Sequence, residues 1–113
     1  MKRYYTYDYT PAKGSFTFNG NRNQVEGYLK KHSNVVLVSF HKGYCVLCDT
    51  PTGTLYERSD ESSTDYIRKR HPSPNFICKY FKVDMVLEKH YRQLAELLNS
   101  GELKFEEIEW KID

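Results

Sequence analysis

The sequence predicts a single α+β domain: an antiparallel or mixed β-sheet with two main helices packed on one face, in the order ββ-α-βββ-loop-β-α-β. Three observations predict it. Residues 35–58 hold the densest apolar run, Val35-Val36-Leu37-Val38-Ser39-Phe40, followed by strand-like runs at 44–48 and 54–58. His41-Lys42-Gly43 and Pro51-Thr52-Gly53 separate these runs at hairpin spacing, which reads as a three-stranded meander. Residues 85–98 place Leu87, Tyr91, Leu94 and Leu98 at i, i+4, i+7 and i+11, the stripe of an amphipathic helix. Finally, 113 residues suffice for one core without disulfide or metal staples.

Taken in order, residues 3–9 alternate, with Tyr5, Tyr7 and Tyr9 on one face and Tyr4, Thr6 and Asp8 on the other. A turn at 10–14 and a second alternating run, with Phe16 and Phe18 inward, predict a first hairpin. Asn21 with Gln24, or Asn23 with Glu26, fits the capping-box spacing and starts a helix carrying Val25, Leu29 and His32 on one face. The meander follows. Residues 59–75 are Ser-rich and acidic at first, then basic, and end in His71-Pro72-Ser73-Pro74. Pro72 and Pro74 force an extended path, so this stretch reads as a mobile charged loop in which a short helix near 64–69 must stop. Residues 76–83 read as a strand, and Asp84 as the N-cap of the second helix. Residues 103–112 read as a last strand whose inward parity switches between Phe105 and Ile108, which predicts a bulge near Glu106-Glu107. The expected core is Phe16, Phe18, Val25, Leu29, Val36, Val38, Phe40, Val46, Leu55, Ile77, Phe81, Leu87, Leu94, Leu98, Phe105, Ile108 and Trp110.

Composition narrows the function. Aromatics are 15% of the chain, ten of the residues being tyrosine, which argues against disorder despite 28% charged residues. The net charge of +2 hides an asymmetry: residues 1–58 and 59–83 carry excesses of four and two positive charges, residues 84–113 an excess of four negative ones. No run approaches the roughly 18 apolar residues of a membrane span, and Met1-Lys2-Arg3-Tyr4 opens no apolar signal region. With an odd number of cysteines, three, the expected compartment is the reducing cytoplasm.

No arrangement calls for catalysis. Cys45-Val46-Leu47-Cys48 has the Cys-x-x-Cys spacing, but on a regular strand i and i+3 face opposite ways, so the two sulfurs diverge and read as core cysteines rather than a zinc or redox pair. The four histidines are scattered, and neither a nucleophile elbow, a P-loop nor a dinucleotide fingerprint occurs. The expectation is a chain that is not an enzyme and carries no cofactor or metal.

Basic clusters at Lys2-Arg3, Lys30-Lys31, His41-Lys42 and Arg68-Lys69-Arg70-His71, with nearby tyrosines, could track phosphates and stack bases. The sequence pI near 8.4 and the acidic C-terminal third weaken that alternative, nucleic-acid binding. Tyr and Arg also carry protein-interface energy. The first expectation is therefore a small non-enzymatic binding protein, a regulator or inhibitor of another protein, of the kind phages and mobile elements encode. Its binding residues are expected to be Arg68, Lys69, Arg70 and His71, with Tyr66, His41, Lys42 and Tyr4 as further contacts.

Overall fold

Two proline-marked breaks divide what would otherwise be one long two-stranded ribbon. In a computed structural model, residues 3–59 and 66–111 are described. The strands are β1 Arg3–Thr10, β2 Gly14–Phe18, β3 Val35–His41, β4 Tyr44–Asp49, β5 Thr52–Ser59 and β6 Tyr66–Arg70. The helices are α1 Arg22–Lys31, α2 Pro74–Phe81 and α3 Glu88–Ser100, and a 3-10 turn covers Phe105–Glu107. β1 runs on into β2, and β4 into β5. The first pair of strands lies antiparallel along the second, β1 on β5 and β2 on β4. Thr10 faces Thr52 and Gly14 faces Asp49, so Pro11, Ala12 and Lys13 stand opposite Thr50 and Pro51 alone. Each proline removes a ladder donor at the same point, and the extra residue breaks the ribbon into two sheets. At about 3.3 Å per residue the ribbon reaches about 50 Å, which accounts for a molecule measuring 56 × 24 × 23 Å.

β6 adds to β5 at one end and β3 adds to β4 at the other, giving sheets of order β1-β5-β6 and β2-β4-β3, both antiparallel. The α+β class is as the sequence predicts, and the partnering is what differs. β1 and β2 do not form a hairpin with each other, because the 10–14 segment carries the chain straight on instead of reversing it. The meander is likewise divided: β3 and β4 form the expected hairpin around Lys42 and Gly43 (φ +87°), whereas β5 leaves for the other sheet.

Each sheet has its own core. α3 lies on β1-β5, and Leu55, Ile77, Val86, Tyr91, Leu94 and Leu98 are buried between them and α2. Gly53 lets Tyr91 settle directly on the strand: a Cβ there would fall 1.9 Å from the ring's Cζ, and the ring hydroxyl donates to Pro51 O at 3.2 Å. The other core is smaller, with Val25 of α1 against Val35, Cys45 and Leu47. α1 begins with the Asn21–Gln24 capping box, Asn21 Oδ1 accepting from Gln24 N and Gln24 Oε1 from Asn21 N, each at 2.9 Å.

Four local expectations are corrected. Residues 76–83 are helical where a strand is predicted: Pro74 occupies the first helical position, Phe76 stacks on Tyr80 one turn on, and Lys82 closes the helix in the left-handed conformation at φ 56°. Of the predicted loop 59–75, residues 60–65 lie outside the described residues, whereas Tyr66–Arg70 form a strand and no helix. α3 starts at Glu88, three residues late, because the His90 ring rather than Asp84 satisfies the helix start, its Nδ1 accepting from Leu87 N at 2.8 Å. Among the described residues the predicted C-terminal strand reduces to one bridge between Trp110 and Pro72, residue 112 lying outside them, and the parity switch is taken up by the 3-10 turn instead of a bulge. Two expected core residues, Phe40 and Leu87, are exposed at 49% and 42%. No described helix is long and apolar enough to cross a membrane.

Candidate functional site

The alternation of β5 decides which side of its sheet is available. Gly53, Leu55 and Glu57 are buried, whereas Thr52 is exposed and Thr54, Tyr56 and Arg58 are part-exposed. α3 and its core occupy the buried side, where Tyr5, Tyr7 and Tyr9 also pack. The cross-strand register aligns the opposite, open side into rows. Tyr4, Arg58 and Ile67 form the first row, and Thr6, Tyr56 and Lys69 the second. Asp8 and Thr54 form the third, extended by His71, whose Nδ1 lies 3.4 Å from Thr54 Oγ1. Tyr4 and Ile67 are 41% and 47% exposed, so the first row ends in apolar surface on both sides of a guanidinium. Arg58 is held in place: its Nε donates to Thr6 Oγ1 at 3.2 Å, and the guanidinium lies 5.8 Å from the centre of the Tyr56 ring.

This face brings together Tyr4, Lys69 and His71 of the residues expected from sequence. Arg68 and Arg70 take register positions on the buried side, opposite Glu57 and Leu55. Arg70 fastens the structure there. Its Nε lies 3.7 Å from Glu57 Oε2, and its guanidinium sits 4.9 Å over the Phe105 ring, while Arg3 reaches Glu57 Oε1 at 3.2 Å. The buried Glu57 carboxylate thus pairs with two guanidiniums, one on each oxygen, and ties β1, β5 and β6 together. Burial, followed by the Glu57 charge, raises the Tyr5 phenol above its ordinary pKa. Tyr66 opens β6 opposite Ser59.

His41 and Lys42 are not part of this face. They cap the β3–β4 hairpin at the far end of the ribbon, about 45 Å from Tyr4 at the usual rise per residue. There His41 stacks on Tyr44 at 5.0 Å, its Nε2 lies 3.2 Å from Ser39 Oγ, and Leu37 and Phe40 are exposed beside it.

Four residues of the open face, Thr6, Tyr56, Arg58 and Ile67, are not singled out as binding residues by the sequence. The 52–58 alternation, with Leu55 inward, could have found Tyr56 and Arg58. Joining them to Tyr4 and Lys69 requires knowing that β5 lies between β1 and β6.

The cysteines offer little chemistry. Cys45 shares a face with Phe16 and Phe18, whereas Cys48 pairs with Ser15 and Val36 on the opposite face, so the sulfurs diverge as strand geometry requires. Burial pushes the thiol pKa of Cys45, Cys48 and Cys78 upward, that of Cys78 to about 11, with Asp49 and Asp84 adding to the effect at the latter two. All three are free cysteines held as thiols. Among the described residues no three His, Cys, Asp or Glu side chains gather to hold a metal ion. Comparison of the chain with protein-family models, curated proteins and solved structures finds no match.

Proposed function

We propose that the protein is a non-enzymatic binding protein that regulates or inhibits another protein through the open face of β1-β5-β6. The observation that carries this reading is the row Tyr4–Arg58–Ile67, backed by Thr6–Tyr56–Lys69, on a sheet side that α3 leaves uncovered. Tyrosine and arginine presented by rigid strands contribute most of the affinity in protein interfaces, because little side-chain entropy remains to be lost. Arg58 is already oriented by Thr6 and Tyr56, which preorganises it for a carboxylate or carbonyl of a partner. The modest charge of the face favours a protein over a phosphate backbone: Arg58 and Lys69 are partly offset by Asp8, whereas nucleic-acid surfaces concentrate many cations. Three free cysteines suit action in a reducing compartment such as the cytoplasm.

Capture of partners from a cell extract by the immobilised protein tests the reading. The pair Tyr4→Ser, Ile67→Ser should reduce capture about tenfold or more while leaving the melting temperature nearly unchanged, since both side chains are exposed. Undiminished capture would remove the face from the proposal. A second reading, single-stranded nucleic acid stacked on Tyr4 and Tyr56, is favoured by the adjacent rows of these two rings. Tight DNA or RNA binding that weakens steeply with salt would replace the first reading.

A further inference from the structure

We propose that a groove beside α3 docks a basic segment of another protein, receiving a lysine or arginine side chain. The groove has a volume of about 490 Å³ and is lined by Phe81, Gln93, Glu96, Leu97, Ser100 and Glu102. Gln93, Glu96, Leu97 and Ser100 follow the i, i+3, i+4, i+7 spacing that puts residues on one face of a helix. Phe81 is the last residue of α2, and Glu102 follows the Gly101 cap of α3. The surface is separate from the open sheet face, because α3 and the larger core lie between them, and the inference does not depend on that reading.

Two chemically different parts meet in the groove. Phe81 and Leu97, both half-buried, supply an apolar floor, whereas Glu96 and Glu102 stand exposed at the rim. Neither carboxylate has an ion-pair partner among the described residues. Lys82 is next to Phe81 in the chain but does not line the groove. The helix adds to the negative potential: α3 ends here with no basic residue in its last turn, so its carbonyl end is uncompensated by a cation of its own. An anion is repelled by this arrangement, and a purely apolar side chain leaves the carboxylates without a partner. A lysine or arginine satisfies both parts, its methylene stem on Phe81 and Leu97 and its charged head between Glu96 and Glu102. The same chemistry makes the groove a complement to basic partners, whereas the open sheet face presents Arg58 and Lys69.

The test is an NMR titration of the isotope-labelled 113-residue chain with a capped trilysine peptide, and with capped triglutamate as control. The expected result is a set of saturable shifts at the amides of Gln93, Glu96, Leu97 and Ser100, absent with triglutamate and suppressed by about 0.5 M salt. The double variant Glu96→Gln, Glu102→Gln should weaken binding about tenfold with an unchanged melting temperature, since both side chains are exposed. Shifts centred instead on Glu106, Glu107 and Glu109, or equal affinity in the double variant, would overturn the proposal by showing diffuse attraction to the acidic C-terminal third. Concentration-dependent dimerisation that the double variant abolishes would overturn it as well, by assigning the groove to a second copy of the chain.

Discussion

The two ends of the ribbon solve the same problem with different resources. The β1-β5-β6 end buries a cluster of nine residues, with α2, α3 and the C-terminal turn around it, whereas the β2-β4-β3 end buries a cluster of four beneath α1, with Val36 and Cys48 buried on its other face. Their edges differ too. At β1 the Asn99 side chain imitates a neighbouring strand, Oδ1 accepting from Tyr5 N at 2.6 Å and Nδ2 donating to Tyr5 O at 3.0 Å. At β3 the register slips between Leu37 and Ser39, and Leu37 and Phe40 stay exposed. A bulge blunts an edge by twisting it, but it leaves the backbone groups unpaired. The comparison teaches that one end is built as a rigid platform and the other as a lightly held hairpin. A binding face belongs on the platform, where preorganisation costs least.

The largest expected effect tests the difference in packing. Leu94→Ala should cost about 4 kcal/mol in denaturant unfolding, because its neighbours are themselves fixed, whereas Leu47→Ala should cost about 2 kcal/mol, because the half-buried Phe16, Phe18 and Tyr28 can collapse around it. Equal losses would break the comparison. Gly53→Ala should follow at about 2–3 kcal/mol, since its methyl group would occupy the space of the Tyr91 ring. A crystal structure of that variant should show the ring displaced from β5. Asn99→Ala should cost about 1 kcal/mol and expose the β1 edge, read as faster exchange at the Tyr5 amide; an unchanged exchange rate would mean that the edge is protected otherwise.

The smallest effect appears only in acid. His90 is buried, and burial, then the Lys89 charge, lowers its pKa below the ordinary 6.5. Its Nδ1 accepts from Leu87 N, which requires the neutral ring. The unfolded chain therefore takes up this proton first, so the contribution is complete above about pH 6.5 and is lost as pH falls from there through the folded-state pKa. Thermal melts should show wild type losing more stability than His90→Gln between about pH 7 and 5. Parallel curves would contradict this role.

How much of this was legible depended on whether the signal was local. The Asn21–Gln24 box, the hairpin around Lys42-Gly43 and the stripe Tyr91–Leu94–Leu98 are set by neighbours a few residues apart; the sequence reading finds the last two outright and the first as one of two alternatives. Residues 76–83 failed because an apolar run of that length has no decisive period, and because Pro74 serves equally to extend a chain or to start a helix. The partner choices of β1 and β5 failed for a deeper reason: Pro11 and Pro51 act together only when their strands are paired, across forty residues of sequence. The open face inherits that difficulty. Tyr4 and Lys69 were singled out separately, yet the residue that joins them, Arg58 or Tyr56 on the central strand, becomes visible only with the register in hand. The parity switch before Ile108 is an intermediate case, since its place was read correctly but its form, a 3-10 turn, was decided by Phe105 stacking on Trp110 at 4.7 Å.

The most direct test is hydrogen exchange of the protein alone and in complex with the partner that the capture experiment recovers. The account predicts slower exchange on binding in residues 3–10, 52–59 and 66–70, with residues 37–44 of the hairpin unchanged. Protection confined to 37–44 would contradict it, moving the functional surface to the hairpin end and leaving the open sheet face without a role.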